Sequence, residues 1–140
     1  MTLYIDAAVV VAALTPEPLT ATSRKILADS GAIVASTWTM VEAVSGLAKK
    51  VRTGDLTEAE FEIALRKLDE LEAEHFPLMS LSDDHMRLAT RYIANARLGL
   101  RAGDALHVAV AASVSAELVT SDVTMARAAE ALGVPVRLLA

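Results

Sequence analysis

The chain has 140 residues and a mass of 14.8 kDa, and 54% of its residues are hydrophobic. A chain of this length has the usual size of one globular domain and buries enough surface to fold without disulfides or structural metals, so we expect one domain over residues 1–140. It has no cysteine, which excludes disulfides, thiolate metal sites and cysteine nucleophiles, and its net charge of −5 argues against binding nucleic acid by bulk positive charge.

Five short apolar runs are spaced along the chain as buried strands are, and segments with helical periodicity fill the intervals between them. The predicted strands cover residues 3–5, 32–35, 78–81, 118–120 and 136–139. Strands that alternate with helices form a parallel sheet with helices on both faces, because parallel neighbours need a crossover connection. The pattern therefore predicts an α/β fold of three layers, α/β/α, with a central parallel sheet of about five strands.

The helical segments show the apolar spacing and the capping residues typical of helices. They cover residues 7–14, 20–30, 38–51, 83–96, 104–115 and 123–132, and a further helix begins at residue 57. Thr57 and Glu60 form a capping box at that start, and Leu56 with Phe61 forms the hydrophobic staple around it. In helix 38–51 the spacing predicts core positions at Val41, Val44, Leu47, Ala48 and Val51.

Two acidic residues come directly after predicted strands. Asp6 follows the first strand, and Asp122 follows the fourth. Each could serve only as the N-cap of the next helix, which is a complete structural explanation. The carboxyl ends of parallel strands, however, lie along one edge of the sheet, and ligands bind there where the strand order reverses. Both residues are therefore also candidates for a shared site.

Two further acidic residues lie on predicted helices. Glu42 lies away from the predicted core positions of its helix and close to Trp38 and Gly46, which indicates a recess, although a solvated glutamate is the more common case. Asp104 follows Gly103 and opens an almost wholly apolar helix. A carboxylate in that position would act as an N-cap or would need a counter-charge.

Four carboxylates at one edge would repel one another. Two charges 4 Å apart interact by about 1 kcal/mol in water and by roughly 4 kcal/mol at an effective dielectric constant of 20. Such a cluster is stable when a divalent cation neutralises it, and ligands that are all oxygen favour Mg²⁺ or Mn²⁺ over zinc. A zinc site is not indicated, because His75 and His85 lack the paired spacing of zinc ligands.

Short segments around the four acids carry a resemblance to a known family. They are Tyr4-Ile5-Asp6, Thr39-Met40-Val41-Glu42, Gly103-Asp104-Ala105-Leu106-His107-Val108-Ala109 and Val119-Thr120-Ser121-Asp122. In these segments and their order the chain resembles the PIN-domain ribonucleases, most of all the VapC-type toxins of bacterial toxin–antitoxin pairs, over essentially its whole length. The resemblance implies a PIN-like fold and a metal-dependent endoribonuclease. It also implies that Mg²⁺ or Mn²⁺ is bound by the catalytic residues Asp6, Glu42, Asp104 and Asp122.

The resemblance further implies that water attacks the phosphodiester bond and leaves a 3′-hydroxyl and a 5′-phosphate. A cognate antitoxin would inhibit the protein, which would be a homodimer. Many relatives have a serine, threonine or asparagine after the first aspartate, where this chain has Ala7, and Thr120 or Ser121 could orient that aspartate instead. His107 could orient Asp104, three residues before it, although a hydrogen-bonded histidine within an apolar helix is the simpler interpretation.

An acidic protein that binds RNA needs local positive charge. Two groups of basic residues are candidates, namely Lys49, Lys50 and Arg52 beyond Glu42, and Arg97 and Arg101 shortly before Asp104. The alternative is that these residues only end solvated helices, where the helix dipole favours positive charge. Trp38 could stack a base, but packing beside Glu42 is the simpler interpretation.

Three other function classes make different predictions. A phosphatase with Asp6 as its nucleophile needs a second acid two residues later, where this chain has Ala8. A nucleotide hydrolase needs a glycine-rich loop after a strand, and the sequence has none. A non-catalytic interaction domain, whose acids only cap helices, remains open, and it predicts that Mg²⁺ or Mn²⁺ does not raise the melting temperature.

The mean hydropathy of +0.41 is high and raises the question of a membrane segment. The most apolar stretch, residues 105–114, is interrupted by His107 and is about half the roughly 20 residues that a spanning helix needs. The first residues lack the basic region that precedes the apolar part of a signal peptide. We therefore expect a cytoplasmic protein without a membrane segment.

Overall fold

The computed structural model describes residues 1–29, 31–74 and 76–140. Its strands are β1 Leu3–Ile5, β2 Ile33–Ser36, β3 Leu78–Met79, β4 Glu117–Thr120 and β5 Val136–Leu138. Its helices are α1 Ala7–Leu14, α2 Thr20–Asp29, α3 Thr37–Arg52, α4 Glu58–Glu74, α5 Asp83–Ala94, α6 Ala102–Ser113 and α7 Val123–Ala131, and a 3₁₀ turn, Ala96–Leu98, joins α5 to α6. Each predicted strand and helix is present, with ends that differ by at most two residues. The predicted end of the second helix at Ser30 lies outside the described residues.

The five strands form one parallel sheet in the order β3-β2-β1-β4-β5. β1 is central, since Leu3 pairs with Ile33 of β2 on one side and with Glu117 of β4 on the other. The chain builds the sheet outward from β1 through β2 to β3, and then returns to add β4 and β5 on the opposite side. The strand order therefore reverses between β1 and β4, and a crevice forms at the carboxyl ends of these two strands.

Side chains that alternate along the central strands divide the core into two layers. Leu3 and Ile5 lie in one hydrophobic cluster with residues of α1 to α4, whereas Tyr4 lies in the other with residues of α5 to α7. β4 follows the same rule, because Val119 belongs to the first cluster and Leu118 to the second. This confirms the predicted α/β/α arrangement with helices on both faces of the sheet.

The start of α4 confirms the predicted capping box. The backbone N–H of Thr57 donates to Oε1 of Glu60 at 2.9 Å, and the backbone N–H of Glu60 donates to Oγ1 of Thr57 at 3.1 Å. Leu56 and Phe61, the predicted staple, pack in the same hydrophobic cluster. The local sequence therefore fixes where this helix begins.

The predicted core face of α3 is wrong at two positions. Val41 is 58% exposed and Val44 is 38% exposed. The residues of α3 that are buried are Thr39, Ala43 and Leu47. Small residues turn inward because α3 lies very close to α1: a Cβ atom added to Gly46 would lie only 3.3 Å from Cγ2 of Val11. The close approach of α3 to α1, rather than side-chain volume, therefore determines which face of α3 is buried.

The apolar helix α6 is buried inside the protein, with Ala105, Val108 and Ala109 at zero exposure. It packs against α5, α7 and β4, which explains why apolar residues lie nearly all round it. No helix in the described ranges has both the length and the apolar character needed to cross a membrane.

The orientation of α3 predicts different costs for two truncations. Leu47→Ala removes a fully buried side chain and should lower the free energy of unfolding by about 2–5 kcal/mol. Val41→Ala, on the exposed face, should change it by no more than about 0.5 kcal/mol. Urea unfolding followed by circular dichroism measures both, and equal costs for the two variants would show that the helix is oriented differently.

Candidate active site

A cavity of about 230 Å³ opens at the carboxyl edge of the sheet, next to the ends of β1 and β4. Acidic residues from four separate parts of the chain line it, together with one arginine and one histidine. Its lining residues are Asp6, Ala7, Ala8, Glu42, Arg101, Asp104, His107, Asp122 and Met125. The fold therefore brings together all four acids that the sequence singles out, at the point where the strand order reverses.

The two acids that follow strands are both helix caps, as predicted. Asp6 is buried, and its Oδ1 accepts the backbone N–H of Val9 in the first turn of α1 at 3.1 Å. Oδ1 of Asp122 accepts the backbone N–H of Met125 in the first turn of α7 at 3.0 Å. Capping fixes the direction of both carboxylates, and both still line the cavity.

A single hydroxyl group links these two acids. Oγ1 of Thr120 donates to Oδ2 of Asp6 at 2.5 Å and accepts the backbone N–H of Asp122 at 3.0 Å. It supplies the hydroxyl that Ala7 cannot provide. Ser121, the other candidate for this task, makes no side-chain hydrogen bond within the described parts of the chain.

Glu42 is held by a buried chain of hydrogen bonds that begins in the sheet. Nε2 of His107 lies 2.5 Å from Oε1 of Glu42, and Nδ1 of the same ring lies 2.7 Å from the hydroxyl oxygen of Tyr4. The Tyr4 hydroxyl in turn lies 2.8 Å from Oγ of Ser36 and 3.2 Å from Oγ1 of Thr39. His107 and Tyr4 are fully buried, so the chain connects the β1–β2 core directly to the cavity.

The chemistry of these groups sets the direction of the hydrogen bonds. An ionised Glu42 carboxylate only accepts, so a hydrogen of His107 lies on Nε2, and Nδ1 on the other side of the ring shares a hydrogen bond with the Tyr4 hydroxyl. Burial raises the pKa of Tyr4 from 10.0 to about 12, which keeps that hydroxyl protonated. Its oxygen is then free to accept from Ser36 or Thr39.

The structure decides between the alternatives for Asp104 and His107. Asp104 has Arg101 as a counter-charge and does not cap its helix, and His107 is the hydrogen-bonded histidine of the simpler interpretation. The helix α6 begins at Ala102, and Arg101 is its N-cap, so Asp104 lies in the first turn and does not cap the helix. His107 does not orient Asp104, because its ring points inward to Tyr4 and Glu42. Oδ2 of Asp104 instead lies 3.4 Å from Nε of Arg101, at the exposed side of the cavity. The Arg101 side chain is exposed to solvent, so this ion pair contributes little to stability.

The recess predicted around Glu42 is formed by Trp38 and Gly103. Nε1 of Trp38 donates to the carbonyl oxygen of Gly103 at 3.1 Å, which ties the start of α6 to α3. A Cβ atom at Gly103 would lie 3.2 Å from both Oε2 of Glu42 and Cζ2 of Trp38. Glycine is therefore needed for the close approach of the two helices, and Trp38 packs beside Glu42.

The carboxylates disfavour one another's charge. Desolvation by burial raises the pKa of Asp104, and the nearby charges of Asp122 and Glu42 raise it further, against the opposing effect of Arg101. Burial likewise raises the pKa of Asp6, although the hydrogen bond from Thr120 opposes this. Within the described residues, no three acidic or histidine side chains are close enough to form a complete metal-binding group.

The basic residues singled out in the sequence occupy three different places. Arg101 lines the acidic cavity, whereas Arg97 lines a separate groove next to it. Lys49, Lys50 and Arg52 lie roughly 10–15 Å beyond Glu42 along the axis of α3, outside the cavity lining. Nζ of Lys50 pairs there with Oε2 of Glu17 at 3.2 Å.

His85 does not contribute to the cavity. Nδ1 of His85 accepts the backbone N–H of Ser82 at 3.0 Å, and its Nε2 lies 3.0 Å from Oγ of Ser113. These contacts cap α5 and join it to α6. His75 lies outside the described residues.

Comparison with known proteins identifies the fold family. The family model for the PIN domain matches residues 3–131. The structure is similar to that of VapBC2 from Rickettsia felis, solved with a DNA fragment from their promoter, with a TM-score of 0.70 and 17% identity over 99% of this chain and 98% of that chain. No curated protein matches the chain at a significant level of sequence similarity.

Two structures from Mycobacterium tuberculosis are also similar. VapC20, described as a Sarcin-Ricin loop cleaving toxin, has a TM-score of 0.67 and 12% identity over 83% of this chain and 86% of that chain. VapBC-5, a member of the VapBC family of toxin-antitoxin systems, has a TM-score of 0.58 and 19% identity over 99% of this chain and 97% of that chain. At these identities the similarities establish the fold.

The Tyr4–His107–Glu42 chain predicts a stability cost for a small change. Tyr4→Phe keeps the ring but leaves Nδ1 of His107 without its buried hydrogen-bond partner, and it should lower the free energy of unfolding at pH 7 by about 1–3 kcal/mol. Tyr92→Phe is the matched control, since its hydroxyl makes no hydrogen bond with the described residues, and it should cost less than about 0.5 kcal/mol.

The stability difference between the wild type and Tyr4→Phe should depend on pH. Because the pKa of Tyr4 is raised from 10.0 to about 12, the stability that the neutral hydroxyl contributes is complete below pH 10 and is lost as the pH rises to 12. The difference in unfolding free energy between the wild type and Tyr4→Phe should shrink over this interval. A difference that stays constant up to pH 12 would contradict the assigned network.

Proposed function

Because the chain belongs to the PIN domain family, we propose that it is a metal-dependent endoribonuclease, and that it is the toxin of a toxin–antitoxin pair. In this proposal residues 1–140 form one domain that acts on RNA in the cytoplasm. The convergence of four carboxylates on one cavity supports it. Helix capping explains Asp6 and Asp122, but it gives no reason for Glu42 and Asp104 to face the same cavity, which favours a nuclease over a non-catalytic interaction domain.

The donor set fits a hard divalent cation. The acidic side chains offer only oxygen atoms, and the pKa of Asp104 is raised first by burial and then by the negative charges of Asp122 and Glu42. Mg²⁺ keeps several water ligands and uses one or two carboxylates directly, which agrees with acids that face one cavity without forming a closed group. We assign Mg²⁺ or Mn²⁺ to Asp6, Glu42, Asp104 and Asp122, with some of the contacts made through water.

The chain's own residues would orient the reaction. When bound, the cation supplies a water of lowered pKa and neutralises the charge that develops on the scissile phosphate. Asp6 is held on both oxygens by Val9 and Thr120, and Glu42 is held by His107, so both carboxylates are fixed before substrate arrives. Attack by water would leave a 3′-hydroxyl and a 5′-phosphate, with no covalent intermediate on the protein.

Arg101 is the basic residue best placed to meet the scissile phosphate. It lines the cavity, and its side chain is 83% exposed. Arg101 can therefore leave Asp104 and bind the phosphate at little cost in free energy. In this proposal the other basic residues contact the RNA outside the cavity, with Arg97 in the groove beside it and Lys49, Lys50 and Arg52 farther away on α3.

The partners follow from the same proposal. VapBC-5 of Mycobacterium tuberculosis is a member of a toxin-antitoxin family, and its fold is shared by this chain, so we assign a cognate antitoxin as inhibitor. We also propose a homodimer. The exposed side chains of Val41 and Val44 provide apolar surface on α3 that such an assembly could bury.

Cleavage of RNA tests the proposed function directly. Purified protein incubated with a mixed pool of RNA and Mg²⁺ or Mn²⁺ should produce fragments with 5′-phosphate ends, and a chelator should stop the reaction. Asp104→Asn should lower the rate at least 100-fold, because it removes one charged ligand, whereas Asp69→Asn on the exposed surface of α4 should have no effect. Cleavage that Asp104→Asn retains would locate the activity elsewhere.

Metal binding tests the site without catalysis. Mn²⁺ at 100 times its dissociation constant should stabilise the folded protein by about 2.7 kcal/mol, seen as a higher melting temperature. In the absence of metal, Asp104→Asn should itself be more stable than the wild type at pH 7, because the raised pKa of Asp104 means that its charge is disfavoured in the folded state. No Mn²⁺-induced shift in the wild type would support the interaction domain instead, and equal shifts in the wild type and Asp104→Asn would locate the metal outside this site.

A further inference from the structure

A second groove, of about 430 Å³, lies beside the acidic cavity. Its walls are the 3₁₀ turn Ala96–Leu98 on one side and α7 on the other. One arginine comes from each wall, Arg97 from the turn and Arg127 from the second turn of α7. The lining also offers the hydroxyl of Thr124, and it contains no carboxylate.

The lining of this groove holds two cations and no carboxylate to balance them. The chain carries 18 acidic against 13 basic residues, and several of its cations, such as Lys50, Arg101 and Arg137, already pair with carboxylates. Arg97 and Arg127 are exposed, and neither forms an ion pair or hydrogen bond with another described residue. Two unpaired guanidinium groups around one groove leave a local positive potential that an anion would neutralise.

The groove and the cavity are neighbours because they share two structural elements. The first turn of α7 separates them: Asp122 and Met125 line the cavity, while Thr124 and Arg127 line the groove. Along the α7 axis Arg127 lies roughly 7.5 Å from Asp122. The connection that carries Arg97 also continues directly into Arg101.

The two walls are in contact, so the groove is a defined surface feature. The 3₁₀ turn packs against α7, and a Cβ atom at Gly99 would lie 3.5 Å from Cγ2 of Thr124. Gly99 has a φ of 68°, a backbone conformation that favours glycine and ends the turn. The wall that presents Arg97 is thereby held next to the helix that presents Arg127.

We infer that this groove is a second phosphate subsite, in which Arg97 and Arg127 bind a backbone phosphate next to the scissile one on a single-stranded RNA. The inference rests on the proposed nuclease function and adds a site to it. Guanidinium groups suit this task because they donate two parallel hydrogen bonds to phosphate oxygens. The apolar side chains of Leu98, Ala128 and Ala131 in the same lining would face the adjoining sugar.

Salt dependence of RNA binding tests this subsite. Binding of a single-stranded RNA of about ten nucleotides is measured in the Asp104→Asn background, which prevents cleavage, at several salt concentrations. Each phosphate contact on a single strand contributes about 0.7 to the slope of log K against log salt, so each is worth about fivefold in affinity at 0.1 M salt. Arg97→Gln and Arg127→Gln should each lose part of this affinity and the double variant all of it, whereas Arg66→Gln, on the exposed surface of α4, should not change the slope.

Substrate length separates a subsite from a general effect of charge. With otherwise wild-type protein, the double variant of Arg97 and Arg127 should cleave a dinucleotide, which has only the scissile phosphate, as efficiently as the wild type. It should cleave the longer RNA with a KM roughly fivefold higher at 0.1 M salt, the value of the one phosphate contact that both arginines make. The subsite would be overturned if the double variant lost cleavage efficiency equally on both substrates. It would also be overturned if the salt slopes of Arg97→Gln and Arg127→Gln matched that of Arg66→Gln. Cleavage by the wild type would still support the nuclease in either case. A wild type that neither binds nor cleaves RNA would overturn both.

Discussion

Mutual repulsion between carboxylates at the carboxyl edge of the sheet is the constraint around which the rest of the structure is arranged. Two charges at 4 Å cost roughly 4 kcal/mol at an effective dielectric constant of 20, so side chains free to move would turn apart. Here they are held. Val9 and Thr120 fix Asp6, the first turn of α7 fixes Asp122, and His107 fixes Glu42. Burial raises the pKa of Asp104, and the charges of Asp122 and Glu42 raise it further, so repulsion persists in the folded protein.

The topology explains why this repulsion occurs at one place. β1 and β4 are neighbours in the sheet although more than 100 residues separate them, and their ends deliver Asp6 and Asp122 to the point where the strand order reverses. Helices α3 and α6 contribute Glu42 and Asp104 from opposite sides of the sheet, and the bond between Trp38 and Gly103 ties them together. If this site binds a cation as proposed, its repelling carboxylates reduce stability in the absence of that ligand, as binding sites commonly do.

Much of this could be predicted from the sequence, because the signals are local or periodic. The capping box of Thr57 and Glu60, the alternation of strands and helices, and the two acids after strands each depend on residues a few positions apart. The core face of α3 could not be predicted, because it depends on how closely α3 approaches α1. Gly46 faces Val11 at this close contact, and the larger Val41 and Val44 lie on the exposed face. The partner of His107 escaped prediction for a similar reason. Its ring meets Tyr4 and Glu42, which are 103 and 65 positions away in the chain.

The central claim is that Asp6, Glu42, Asp104 and Asp122 share a divalent cation. Crystals grown or soaked with Mn²⁺ and measured for anomalous scattering locate that ion directly. The account predicts a peak inside the cavity at the ends of β1 and β4, with at least two of the four carboxylates as ligands, directly or through water. Mn²⁺ found only on exposed carboxylates outside the cavity, at concentrations that saturate its effect on the melting temperature, would contradict it.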